Sequence, residues 1–122
     1  MSPGKNILQR DQRFSMPLAV EATVRFNYPN PNGQRRSMTL LELSASGLSF
    51  VAENELPLIV RGAKLEGVVI QVGDTEIEGK LLIKHLTTGE SAEVLYGGVF
   101  YPATMTGQQE LSGIISRLND RQ

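Results

Sequence analysis

Apolar and polar residues alternate along most of this chain with the period of two expected of half-buried strands. Between Met16 and Phe26, the residues Leu18, Val20, Ala22, Val24 and Phe26 fall on one face, and Ala19, Glu21, Thr23 and Arg25 on the other. Asn27, Pro29, Asn30, Pro31, Asn32 and Gly33 then break the pattern. Proline lacks the N–H that a ladder needs, and Asn and Gly accept turn geometry, so a hairpin is predicted there. The next stretch, Leu40 to Val51, reads LLELSASGLSFV and predicts strand, polar turn, strand. After a break over Asn54 to Pro57 and at Gly62 come Val68, Ile70 and Val72, and Gly73 with Asp74 marks another reversal. Ile77, Gly79, Leu81, Ile83 and His85 alternate with Glu78, Lys80, Leu82 and Lys84, and Val94 to Tyr101 follows a polar loop. Six strands with turn clusters between them argue a mainly β domain, an antiparallel barrel or a sandwich.

The period changes at the end of the chain. Leu111, Ile114, Ile115 and Leu118 recur at helical spacing, which predicts an amphipathic helix over 107–120 packed on the sheet, with Thr106 and Gln109 as its capping box. Residues 1–13 have no sustained period and hold Pro3, Gly4, Asn6 and Gln9. The predicted organisation is a basic, flexible arm over 1–15 and one domain over 16–122 that includes the helix. A length of 122 residues suits a single core.

Composition removes several function classes. At 40% hydrophobic and 20% charged, the chain is of globular type, and no apolar run approaches the ~20 residues of a membrane helix. The start lacks the apolar centre of a secretory signal, and zero cysteines exclude disulfides and thiol chemistry. A cytoplasmic protein without membrane insertion is expected. The net charge of −1 conceals an asymmetry, because residues 1–36 carry +4 and the remainder −5. Arg10, Arg13, Arg25, Arg35 and Arg36 suit a small phosphate-bearing ligand better than a long polyanion, so neither DNA nor RNA is expected as partner. At 6% aromatic, the chain also offers few stacking platforms for single-stranded nucleic acid.

Catalytic chemistry finds no footing. His85 is the only imidazole and has no acidic neighbour in sequence, which suits a partly buried structural histidine. Ser44 and Ser46 lack the preceding glycine of a nucleophile elbow, and the carboxylates show no metal-ligand spacing. A binding module that is not an enzyme, with no cofactor and no metal, is expected. The best candidate for its site is the central turn. Glu42, Ser44, Ser46 and Gly47 collect a carboxylate, hydroxyls and freed backbone N–H groups at a strand junction, where Gly47 permits positive φ or a close approach by a ligand.

Glu42, Leu43, Ser44, Ala45, Ser46, Gly47, Leu48, Ser49 and Phe50 resemble the second signature of the PilZ family, Asp or Asn, x, Ser, x, x, Gly and then apolar residues. They match it at every place but the first. The order of basic arm, strand, hairpin, turn, further strands, Gly98-Val99-Phe100 and terminal helix is similar to a PilZ domain over nearly the whole chain. It looks most like the PilZ half of flagellar-brake proteins. That resemblance implies a six-stranded antiparallel β-barrel with a C-terminal α-helix that binds cyclic di-GMP through an Arg-x-x-x-Arg motif and the turn.

Arginine pairs bidentately with phosphate oxygens or with guanine O6 and N7, while an acid with a serine reads guanine's donor edge. Matching Phe14 to the family's pattern puts Asp11 and Ser15 at the two arginine positions, with Arg10 and Arg13 displaced. The resemblance thus implies Arg10 and Arg13 as clamps, and Glu42, Ser44 and Gly47 as the base-reading turn. It implies a role in bacterial signalling that controls motility, biofilm or secretion, through a protein partner in a motility, polysaccharide or secretion machine. The alternative is a PilZ-like adaptor that no longer binds cyclic di-GMP and acts by protein contacts alone.

Overall fold

The computed structural model describes residues 14–15, 21–30, 32–45, 47–88 and 91–121. Its elements are β1 (Phe14–Ser15), β2 (Ala22–Tyr28), β3 (Gln34–Leu43), β4 (Gly47–Ala52), β5 (Lys64–Val72), β6 (Thr75–Thr88), β7 (Val94–Pro102) and α1 (Met105–Arg121). The strands pair antiparallel in the order β3-β2-β5-β6-β7-β4, and β4 returns to β3, so six strands close a barrel. The expected fold is the observed one. Closure leaves these six strands no unpaired edge to aggregate through. The two-residue β1 adds to β3 beyond the end of β2.

The alternation has the physical consequence it should. Val24 and Phe26 of β2, Ile70 of β5, Leu81 of β6 and Tyr96 of β7 all turn inward and are buried. At the centre Phe50 stacks on Tyr96 with ring centroids 5.3 Å apart, and Phe26 meets Phe50 edge-on at 5.8 Å. At one end the barrel is closed by the segment 53–63, which inserts Leu56 and Ile59 into the core. Two phenols hold it: Tyr96 Oη accepts the Leu56 N–H at 2.8 Å, and Tyr28 Oη accepts the Leu58 N–H at 3.0 Å. Burial pushes the Tyr96 phenol above its ordinary pKa, which keeps its proton on.

Helix α1 lies over the other end, against β6, β7 and β1, and buries Leu111, Ile114 and Leu118. It begins two residues before the expected start. Thr104, not Thr106, is its cap, since Thr104 Oγ1 accepts the Gly107 N–H at 2.9 Å and the Thr104 carbonyl accepts the Gln108 N–H at 3.0 Å. Ile115, expected to share the buried stripe, sits at its margin and is only partly covered. Ile114→Ala is therefore expected to cost about 2–5 kcal/mol of unfolding free energy. Ile115→Ala should cost about half of that or less, and chemical denaturation of the two variants checks the order.

Other departures bear on function. The first long strand is described from Ala22, and residues 16–20, over which the sequence pattern starts it, lie outside the described ones. In β3 a bulge at Leu41 interrupts the alternation between Leu40 and Glu42. Strict alternation from Met38 and Leu40 would aim Glu42 into the core; with the extra residue, Leu43 takes the buried place and Glu42 turns to the outer wall. A second bulge, between Ile83 and His85 of β6, acts alike. It moves His85 off the inward face of Ile77 to Ile83, where the sequence pattern put it, and lets Leu86 pack against the core instead.

Candidate ligand site at the β3–β4 turn

The turn that joins β3 to β4 is closed by its own groups. The Ser44 N–H donates to the Gly47 carbonyl at 2.8 Å, and the Gly47 N–H donates to Ser44 Oγ at 3.1 Å. Ser44 is 3% exposed, so its hydroxyl acts within the turn. Gly47 does not have positive φ. What requires glycine there is a close approach by the neighbouring strand: a Cβ would stand 2.5 Å from the Gly98 carbonyl oxygen. Ser44→Ala would leave the buried Gly47 N–H without this acceptor. It is expected to lower stability by about 1–3 kcal/mol, measurable as an earlier denaturation midpoint.

Outside the turn, Glu42 is half-buried on the barrel wall and accepts a hydrogen bond from Ser49 Oγ at 3.3 Å. Ser49 itself is 1% exposed. Strand register then carries a polar row around the barrel, with Glu42 opposite Ser49, Ser49 opposite Gly97, and Gly97 opposite His85. Directly opposed residues share a face, so the row lies on the outer wall. Ser49 and His85 were not singled out as site residues by the sequence. Ser49 was within reach, because the short turn fixes it opposite Glu42; His85 was not, because the bulge that re-aims it leaves no mark in the alternation.

The structure brings Glu42, Ser44 and Gly47 together, whereas Arg10 and Arg13 lie outside the described residues, as does Ser46. The strand arginines are engaged elsewhere. Arg25 pairs with Glu76 at 2.8 Å, Arg35 donates to Asn27 Oδ1 and to the Gly67 carbonyl at 3.3 Å, and the Arg36 guanidinium sits 5.7 Å from the Tyr28 ring centroid. Two open grooves of about 620 and 600 Å³ flank Tyr28 at the end closed by 53–63, and Glu42, Ser44 and Gly47 line neither. Among the described residues no His, Asp and Glu group converges to hold a metal ion, and no helix is long and apolar enough to cross a membrane.

No protein-family model matches the chain, nor does any curated protein sequence. Solved structures do. The complex of K. pneumonia MrkH with cyclic di-GMP superposes with a TM-score of 0.77 at 20% identity, over 89% of this chain and 50% of that one. The PilZ domain of YcgR from Escherichia coli, solved with cyclic di-GMP, gives 0.73 at 16% identity and covers 92% of both chains. The Bacillus subtilis inhibitor of motility, MotI, gives 0.66 at 18% identity over 93% of this chain and 54% of that one. The chain therefore spans about half the length of MrkH and MotI and nearly all of the YcgR domain. At these identities the likeness speaks for architecture, and the architecture of this chain is that of a PilZ-like barrel with its C-terminal helix.

Proposed function

We propose that this chain is a cyclic di-GMP receptor of the PilZ type, a signalling module that carries no enzymatic activity. The observation that carries the reading is β1. Its antiparallel register sets Phe14 opposite Leu43 and Ser15 opposite Glu42, so the described chain starts beside the end of β3 that leads into the Ser44–Gly47 turn. Arg13 and Arg10 are the first and fourth residues before Phe14. Four residues span at most about 14 Å, so both guanidinium groups stay within reach of a ligand seated at the turn. Arg10 and Arg13 then clamp phosphate and guanine, the Glu42 carboxylate accepts from guanine's donor edge, and Ser44 and Gly47 hold the turn that presents it. Ligand binding brings the basic arm against the barrel and offers a new face to a protein of a motility, polysaccharide or secretion machine in the cytoplasm. The likeness to the ligand-bound PilZ domain of YcgR supports the same reading.

Titration calorimetry at moderate salt tests it. Cyclic di-GMP is expected to bind, and Arg10→Ala and Arg13→Ala should each weaken binding at least tenfold, because charged contacts outweigh neutral ones. GTP should compete poorly, and added salt should lower the affinity. A second reading, a constitutive adaptor, is favoured by the turn itself, whose Ser44 hydroxyl and Gly47 N–H are satisfied without any ligand. Absence of heat up to millimolar nucleotide, with unmoved amide resonances between Arg10 and Gly47, would establish that reading and end the receptor one.

A further inference from the structure

The bulge in β6 spends a register irregularity on turning one side chain, and that side chain faces the same strip of wall as Glu42. Bulges that re-aim a residue cluster next to binding sites, and here two of them, on β3 and β6, bring Glu42 and His85 to opposite ends of one row. Between them lie only the buried Ser49 and a glycine. Gly97 is what allows the imidazole to lie across β7, since a Cβ there would stand 2.8 Å from His85 Nε2 and 3.0 Å from Nδ1. The ring is half-buried, and neither of its nitrogens is hydrogen-bonded to any described residue.

We infer that His85 is a specificity-determining residue of the nucleotide site, the wall opposite Glu42, and that it donates an imidazole N–H to the O6/N7 edge of a guanine. The inference rests on the receptor reading above. Along the row the β3 and β6 backbones are about 14 Å apart, three interstrand spacings, and the imidazole leans inward by one of them. Glu42 and His85 thus bound the same short strip of wall from its two sides. The chemistry is complementary. Guanine carries donors on one edge, which a carboxylate accepts, and the acceptors O6 and N7 on the other, which an imidazole N–H serves. Adenine places a donor amine where guanine has O6, so the same wall discriminates between the two purines.

A ring covering a strand glycine could also be packing alone, and the test separates the two. His85→Phe keeps an aromatic ring over Gly97 and removes both nitrogens. If His85 reads the base, His85→Phe retains the fold and thermal midpoint but binds cyclic di-GMP at least fivefold more weakly. Its preference for cyclic di-GMP over cyclic di-AMP should shrink by a similar factor. In the unsubstituted protein, the imidazole ¹⁵N resonances of His85 should shift on adding cyclic di-GMP, a readout that needs no variant to fold. Wild-type binding with unmoved imidazole resonances, or with His85→Phe unchanged in affinity and preference, overturns the inference and leaves the receptor reading intact. A wild-type protein that binds no cyclic di-GMP removes both.

Discussion

Asp11→Arg combined with Ser15→Arg is expected to raise the affinity for cyclic di-GMP by at least tenfold. Each bidentate arginine contact to phosphate or guanine is worth about 1–3 kcal/mol, so two additive contacts would give about 30-fold to 10⁴-fold. Neighbouring contacts rarely add in full. Part of the gain is also offset within the site, because Ser15 stands opposite Glu42 in the β1–β3 ladder, and a guanidinium at position 15 has that carboxylate as a competing partner. The measurement is calorimetric, with the single substitutions alongside. A large gain means that the turn and wall are competent and only the clamp has drifted from the family's spacing. No gain means that Glu42 or the shape of the wall closes the site, and Glu42→Asp, which shortens the acid by one methylene, becomes the discriminating change.

How much of this was legible in the sequence follows from which forces are local. Alternation is local, so the inward faces of β2, β5 and the first part of β6 could be read from Val24 and Phe26, Val68 and Ile70, and Ile77 to Ile83. The hairpin after Tyr28 and the reversal at Gly73 could be read because breakers act where they stand. The helix cap was missed by two residues, since Thr104 and Thr106 are equally good caps and only docking on β6 and β7 decides between them. Ile115 was overcounted for a related reason: a stripe drawn from spacing has no edge until the surface it meets is known.

The site was half legible. Glu42, Ser44 and Gly47 stand out as residue types at a turn, yet why they stand there depends on partners distant in sequence. Gly47 is glycine because Gly98 is 51 positions away in the chain and one strand away in space. Glu42 faces outward because of an extra residue in β3, and His85 because of another in β6. A bulge adds one residue to one strand of a pair, so it is a property of two strands and cannot be seen in either alone. The seven-position separation of Glu42 and Ser49 was the exception, since a four-residue turn fixes what lies opposite what.

The wall that presents the site depends on the aromatic stack behind it, and Phe50→Ala is expected to be the most destabilising single truncation, at about 3–5 kcal/mol. Phe50 is fully buried, stacks on Tyr96 and meets Phe26 edge-on, so its removal opens a cavity bordered by rings that cannot collapse far. A domain of this size has about 5–15 kcal/mol in total, so the loss is a large share of it. The damage should spread in a defined order. Tyr96, no longer held by the stack, carries the hydroxyl that accepts the Leu56 N–H, so segment 53–63 should lose its amide-exchange protection before the barrel strands do. Phe50 is also the residue after Ser49 on β4, so cyclic di-GMP affinity should fall together with stability. Leu58→Ala is the control: its side chain is 64% exposed on the same segment, and its loss should move stability by no more than about 0.5 kcal/mol. A Phe50→Ala protein within about 1 kcal/mol of the parent in chemical denaturation would mean that the stack is not what holds β4 and β7 in place, and that the closing segment and the helix carry the barrel between them.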